Sequence, residues 1–216
     1  MEKEVILASL SILAALLVTS TAIMQLVSPD WRFSLLMLAL QYLGVFLLLI
    51  NHWPIFLSLT VLFSGWVSTI VLAIGILSLS VDQQRLESGA TTLSLLVRQG
   101  AWRHSLSIIF FLLTALLGGI VTLTMLPALT AIFPSLNLSI GWGSLILIGL
   151  GFLKLGYSDQ SFPVVVGLLT VISGFNVLQT SFSSSLMTAG LLAATTLTLA
   201  LIGDFLITMP YSETTP

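Results

Sequence analysis

The sequence predicts an all-α, polytopic membrane protein of about seven transmembrane helices, with its N-terminus outside and its C-terminus in the cytoplasm. Three observations predict it. Of 216 residues, 57% are hydrophobic and only 6% are charged, whereas a soluble domain carries roughly a quarter charged residues. Apolar runs long enough to cross ~30 Å of hydrocarbon, about 20 helical residues each, follow one another along nearly the whole chain. None of the runs has the period-two alternation of a membrane β-barrel strand, so helices are left as the way to satisfy the backbone in lipid.

The runs lie near residues 5–27, 33–50, 54–80, 105–127, 138–157, 163–182 and 184–209. Turn chemistry separates them: "SPDWR" after the first, "NHWP" after the second, Pro127 and Pro134 around the fourth loop, and "GYSDQSFP" before the sixth. The sixth and seventh, joined through "SFSSS", are the least cleanly divided. The first run has no basic leader and no small-residue cleavage site, so it reads as a retained helix. No internal repeat is evident in the residues.

Orientation follows from the six Lys and Arg residues. Seven crossings put Lys3 on one face, and Arg32, Arg85, Arg98, Arg103 and the snorkelling Lys154 on the other. The excess of basic residues marks the cytoplasmic side of the inner (plasma) membrane. The expected organisation is a three-helix core over 1–80, a cytoplasmic loop over 81–104 and a four-helix membrane extension over 105–216. Within the loop, "TTLSLLVRQGAW" suits a short helix at the headgroup boundary, Arg98 and Arg103 meeting phosphates and Trp102 the interface. A linker on the membrane surface and a docking surface for a neighbouring subunit, with Arg85, Arg98, Trp102 and Arg103 at its centre, are both open.

Composition excludes several functions. With no cysteine, thiol nucleophiles, thiolate metal sites and iron-sulfur clusters are out of reach. His52 and His104 are too few and too separated for a metal or haem site, no cofactor is implied, and the small net charge of -2 suggests no nucleic-acid partner. No acid stands beside a base and no nucleophile has an activating neighbour, so catalysis by the chain alone is not expected.

Polar groups within the runs are then the candidates. Gln41 falls mid-helix in the second run, where it either bonds a neighbouring helix through a serine or carbonyl, or contacts a water path. The third run offers hydroxyls, Ser64, Ser68 and Thr69. In the sixth, Ser173, Asn176 and Thr180 share one face, with Gln179 beside them. Lys154 and Asp204 lie toward the same membrane face, and either meet as a pair or reach the headgroups separately. The glycines of "GWGSLILIGLG" and "LLGG" read as close-packing positions.

"RFSLLMLALQYLGVFLLLI", "FSGWVSTIVLAIGI" and "IGLGFLKLGYSDQSFPVVVGLLTVISGFNVL", roughly a third of the chain, resemble a known group of small membrane proteins of energy-converting complexes. These are subunit K of NADH-quinone oxidoreductase, its relative in the multisubunit cation/proton antiporters and, closer in length and helix number, component E of hydrogenase-4-type complexes. The resemblance implies a non-catalytic subunit of a respiratory, hydrogenase-like or antiporter complex that couples redox chemistry to ion translocation, with antiporter-like membrane subunits and anionic lipid headgroups as partners. Subunit K carries buried glutamates in its second and third helices. Here Gln41 and Ser68 or Thr69 stand instead, groups that orient water but hold no exchangeable charge. An autonomous transporter or channel, and an assembly scaffold, are the alternatives.

Overall fold

The computed structural model describes residues 2–28, 30–50, 52–87, 101–133, 136–158, 160–182 and 185–208, with side chains from 9 to 78 and from 112 to 208 within those segments. Among the described residues there are seven α-helices: α1 (Glu2–Val27), α2 (Trp31–Leu49), α3 (Ile55–Glu87), α4 (Ala101–Ile132), α5 (Leu138–Tyr157), α6 (Ser161–Gln179) and α7 (Leu186–Thr208). All seven are long and apolar enough to cross a membrane, as a multi-pass membrane protein requires.

Local chemistry sets the helix ends. α1 stops short of Pro29, which has no N–H to continue the ladder, and Asp30 is extended before α2 starts. After α2, the Trp53 N–H bonds back to the Leu49 carbonyl at 2.8 Å and Pro54 leads into α3. The Asn137 side chain caps α5 by accepting from the Ser139 N–H at 3.1 Å. Ser185 does the same for Met187 at the start of α7, at 3.2 Å.

Two boundaries differ most from those read in the sequence. α3 continues to Glu87, because "VDQQRLE" contains neither Gly nor Pro and is rich in residues that tolerate helix beyond the hydrocarbon. α4 passes through Pro127 to Ile132. Only one N–H is lost there, with no water nearby to compete for the rest of the ladder, and transmembrane helices tolerate this where soluble ones break. The loop read over 81–104 is thus helical at both ends, and its central segment, with all but the last two residues of the interfacial helix read in "TTLSLLVRQGAW", lies outside the described residues.

The helices form two rows. α1, α2 and α3 lie side by side, α5, α6 and α7 lie against them in the same order, and α4 packs at one edge against α5 and α1. Facing helices are parallel and in register. Near the start of the α1/α5 pair the Ser139 hydroxyl meets that of Ser11, 128 positions earlier. Near its end Lys154 meets Gln25, 129 positions earlier. The α2/α6 pair meets at Gln41 and Ser173, 132 positions apart, and the α3/α7 pair at Ser68 and Thr196, 128 apart. α2 and α6 are each 19 residues long. The two three-helix units are therefore matched in register, and their middle helices in length, a correspondence that the residues themselves do not spell out.

Apolar packing fills each side of the seam. One cluster joins Ala14, Val18, Val45, Leu48, Leu147 and Leu150, and another joins Leu38, Tyr42, Leu72, Val166 and Leu169. α5 and α6 approach closely at Gly151, where a Cβ would stand 3.0 Å from the Gly167 carbonyl and 2.9 Å from the Val171 nitrogen. By contrast, a Cβ on Gly119 would meet nothing within 4 Å, so the "LLGG" pair is only half used for packing. In its described part, α4 buries only Ala115, Thr122 and Leu126.

Candidate functional site: a polar clasp between the rows

Where α1, α2 and α6 meet, four side chains close a ring. The Gln25 amide donates to the Gln41 carbonyl oxygen at 2.9 Å, and the Gln41 amide donates to the Ser173 hydroxyl at 2.7 Å. Ser173 donates to the Thr170 backbone carbonyl at 2.8 Å. Thr170 completes the circuit, its one hydroxyl proton shared between the Val166 carbonyl at 2.8 Å and the Gln25 side-chain oxygen at 3.1 Å. All four residues are buried, Gln41 completely. In a setting where an unpaired amide costs several kcal/mol, closure is what makes two glutamines tolerable in the interior. Gln41 bonds a serine of another helix, one of the two readings open to it.

Lys154 is fixed just below this ring by a feature of the first turn in the sequence. The carbonyl of Gln25 would accept from the N–H four residues later, but that residue is Pro29. The last carbonyls of a helix lack donors in any case, and this one has none by covalent structure. The Lys154 ammonium donates to it at 3.0 Å, and to the Ser34 hydroxyl at 3.1 Å. A cation from α5 thereby caps the C-terminus of α1, where the helix dipole is negative, and ties in the first turn of α2. Lys154 is buried; it neither extends to the headgroups nor meets a carboxylate at either bond.

Asp204 is elsewhere, at the far end of the rows. Its carboxyl oxygen sits in the place that a side chain on Gly75 of α3 would fill, buried and without a hydrogen-bond partner. α2 and α6 separate the α3/α7 pair from the α1/α5 pair, so the structure does not bring Lys154 and Asp204 together.

The other candidates divide clearly. Ser68 donates to the Ser64 carbonyl at 2.7 Å and to the Thr196 carbonyl of α7 at 3.3 Å, whereas Thr69 is satisfied within its own helix by Gly65 at 2.8 Å. Asn176 is 1% exposed, on the buried face shared with Ser173 and Thr180, and both its amide atoms lack a partner. Gln179 is half-buried at the end of α6. Arg85 lies in α3, and Trp102 and Arg103 in the first turn of α4, while Arg98 is outside the described residues. Arg32 stacks on Trp31, 5.1 Å from the ring centre.

Sequence reasoning missed Gln25, Thr170 and Ser34. Gln25 lies three positions from Ser28 and reads as a headgroup-facing end. The overlooked signal was the buried stripe Ala14, Val18, Thr21, Ala22 and Gln25, which continues the core face of α1 to that position.

Chemically, the arrangement binds helices and can orient a hydrogen-bonding guest. Among the described residues no group of three His, Asp or Glu side chains could hold a metal ion. Compared with family models, curated proteins and solved structures, the chain gives no match.

Proposed function

We propose that the chain is a non-catalytic, integral membrane subunit of a complex that couples redox chemistry or antiport to ion translocation, of the respiratory or hydrogenase-4 kind. The observation that supports this most is the closed ring of Gln25, Gln41, Thr170 and Ser173, capped by Lys154. Its amides and hydroxyls, which hold no exchangeable charge, stand across the α2/α6 seam where a chain translocating protons by itself would need a relay of titratable groups. In this reading the N-terminus is outside, the C-terminus is in the cytoplasm, the membrane is the inner (plasma) membrane, and Arg32, beside the interfacial Trp31, contacts anionic headgroups. The neighbours are antiporter-like polytopic subunits, met in the bilayer through apolar faces such as that of α4.

The test is affinity purification of the tagged full chain in mild detergent with mass spectrometry of what accompanies it. Large antiporter-like membrane subunits and a redox module are expected. A second reading, an autonomous transporter, draws on the matched three-helix rows, since many transporters are built of repeats. Ion flux in proteoliposomes containing this chain alone, with no stable partner, would establish that reading in place of the first.

A further inference from the structure

Six buried side-chain polar atoms among the described residues have no protein partner: Tyr42 Oη, Trp53 Nε1, both amide atoms of Asn176, Ser181 Oγ and Asp204 Oδ1. They are not scattered evenly. Tyr42 is mid-helix among apolar neighbours and Asp204 is near the end of α7, but the other four atoms belong to residues toward the end of the bundle that carries the α2–α3 and α6–α7 connections. Trp53 lies in the first of those connections and Ser181 opens the second. Asn176 is on α6, about 4.5 Å beyond Ser173 at 1.5 Å per residue, and Thr180 follows on the same buried face.

The contrast with the other half of the seam is sharp. From Lys154 through Gln25 and Gln41 to Ser173, each polar side chain has a protein partner. Beyond Ser173 the Asn176 and Ser181 side chains have no partner, although at the same end of the bundle α5 still pairs with α1 through Ser139–Ser11 and Trp142–Thr19. An amide with both its donor and its acceptor unsatisfied is a rarity in a packed interior, and ordered solvent is the usual partner of such a group.

We infer that Asn176 is the floor of a water-holding pocket that opens toward the α2–α3 end of the bundle, lined by Thr180, Ser181 and Trp53, and closed beneath by the Gln41–Ser173 bond. Asn176 offers one acceptor and two donors to the water, which carries the hydrogen bonding outward to Ser181 and Trp53. The site takes water, and the polar clasp is its stopper. This deepens the proposed function, since it makes the molecule half-hydrated along one seam, but it rests on separate atoms.

The chain contains no cysteine, so single cysteines report without background. Asn176→Cys, Thr180→Cys and Ser181→Cys would be exposed in native membranes to silver ion, a thiol reagent small enough to follow a file of water, with Val177→Cys and Leu169→Cys as controls from the same helix. Val177 and Leu169 are fully buried. The expected order of reaction is Ser181→Cys fastest, then Thr180→Cys, then Asn176→Cys, the last still about tenfold faster than either control, because a thiol in contact with water reacts as thiolate and a dry one does not. Asn176→Cys reacting as slowly as Val177→Cys would overturn the inference. Should Asn176→Cys not accumulate, Thr180→Cys decides: reaction at the control rate overturns it equally. Reactive Asn176→Cys in a chain that captures no partner keeps the pocket and removes the subunit reading, and the reverse pairing does the opposite.

Discussion

Gln41 and Gln25 depend on each other, and their substitution should reveal it. Gln41→Leu deletes two hydrogen bonds and strands the Gln25 amide, so a loss of about 1–2 kcal/mol in detergent stability is expected. The Gln25→Leu, Gln41→Leu double variant should lose less than the sum of the single ones, by roughly 0.6 kcal/mol or more. Additive losses in thermal denaturation would show that the ring does not act as a unit. Lys154→Met should cost about 1.5–3 kcal/mol, the usual worth of charged hydrogen bonds, and combining it with Asp204→Asn should be additive, because the two side chains occupy separate helix pairs. Gln41 as an interhelical group was legible from one amide in a long apolar run. The position of Lys154 was not, because its partner is a backbone carbonyl released by a proline on another helix, and a sequence pattern does not pair a side chain with a carbonyl.

At the scale of the element, hydrophobic run length located all seven helices, and turn residues separated them. Where the reading stopped helices too soon, it ended α3 with the hydrophobic run although the polar "VDQQRLE" carries the helix on beyond the hydrocarbon, and it ended α4 at Pro127 by the rule for soluble helices, which does not hold for a backbone with no water to turn to. The α5–α6 contact was foreshadowed by "GWGSLILIGLG", but only the structure distinguishes Gly151, pressed on backbone, from Gly119, which faces open space. Gly151→Val should accordingly force α5 from α6 and lower stability by about 1–3 kcal/mol, whereas Gly119→Val should be close to silent. Melting of the two purified variants side by side is the check, and equal losses would refute the packing assignment.

For the whole molecule, the basic residues predict a testable orientation. A reporter fused after Pro216 should read cytoplasm, and one placed between Pro134 and Ser139 should read outside. The reverse at both sites would turn the map over. The two-row architecture was the least legible feature, since matching registers leave no shared residues to recognise. It also explains the odd helix. Three crossings leave a chain on the side opposite to its start, so a second row built parallel to the first cannot begin until a fourth crossing has brought the chain back. Parity, more than packing, demands α4, and a helix needed only for its count can leave most of its surface to the bilayer, as the described part of this one does. Deletion of residues 101–132 would start α5 from the wrong face and invert the second row. The C-terminal reporter should then change sides, and Lys154, carried to the opposite leaflet, could no longer cap the end of α1.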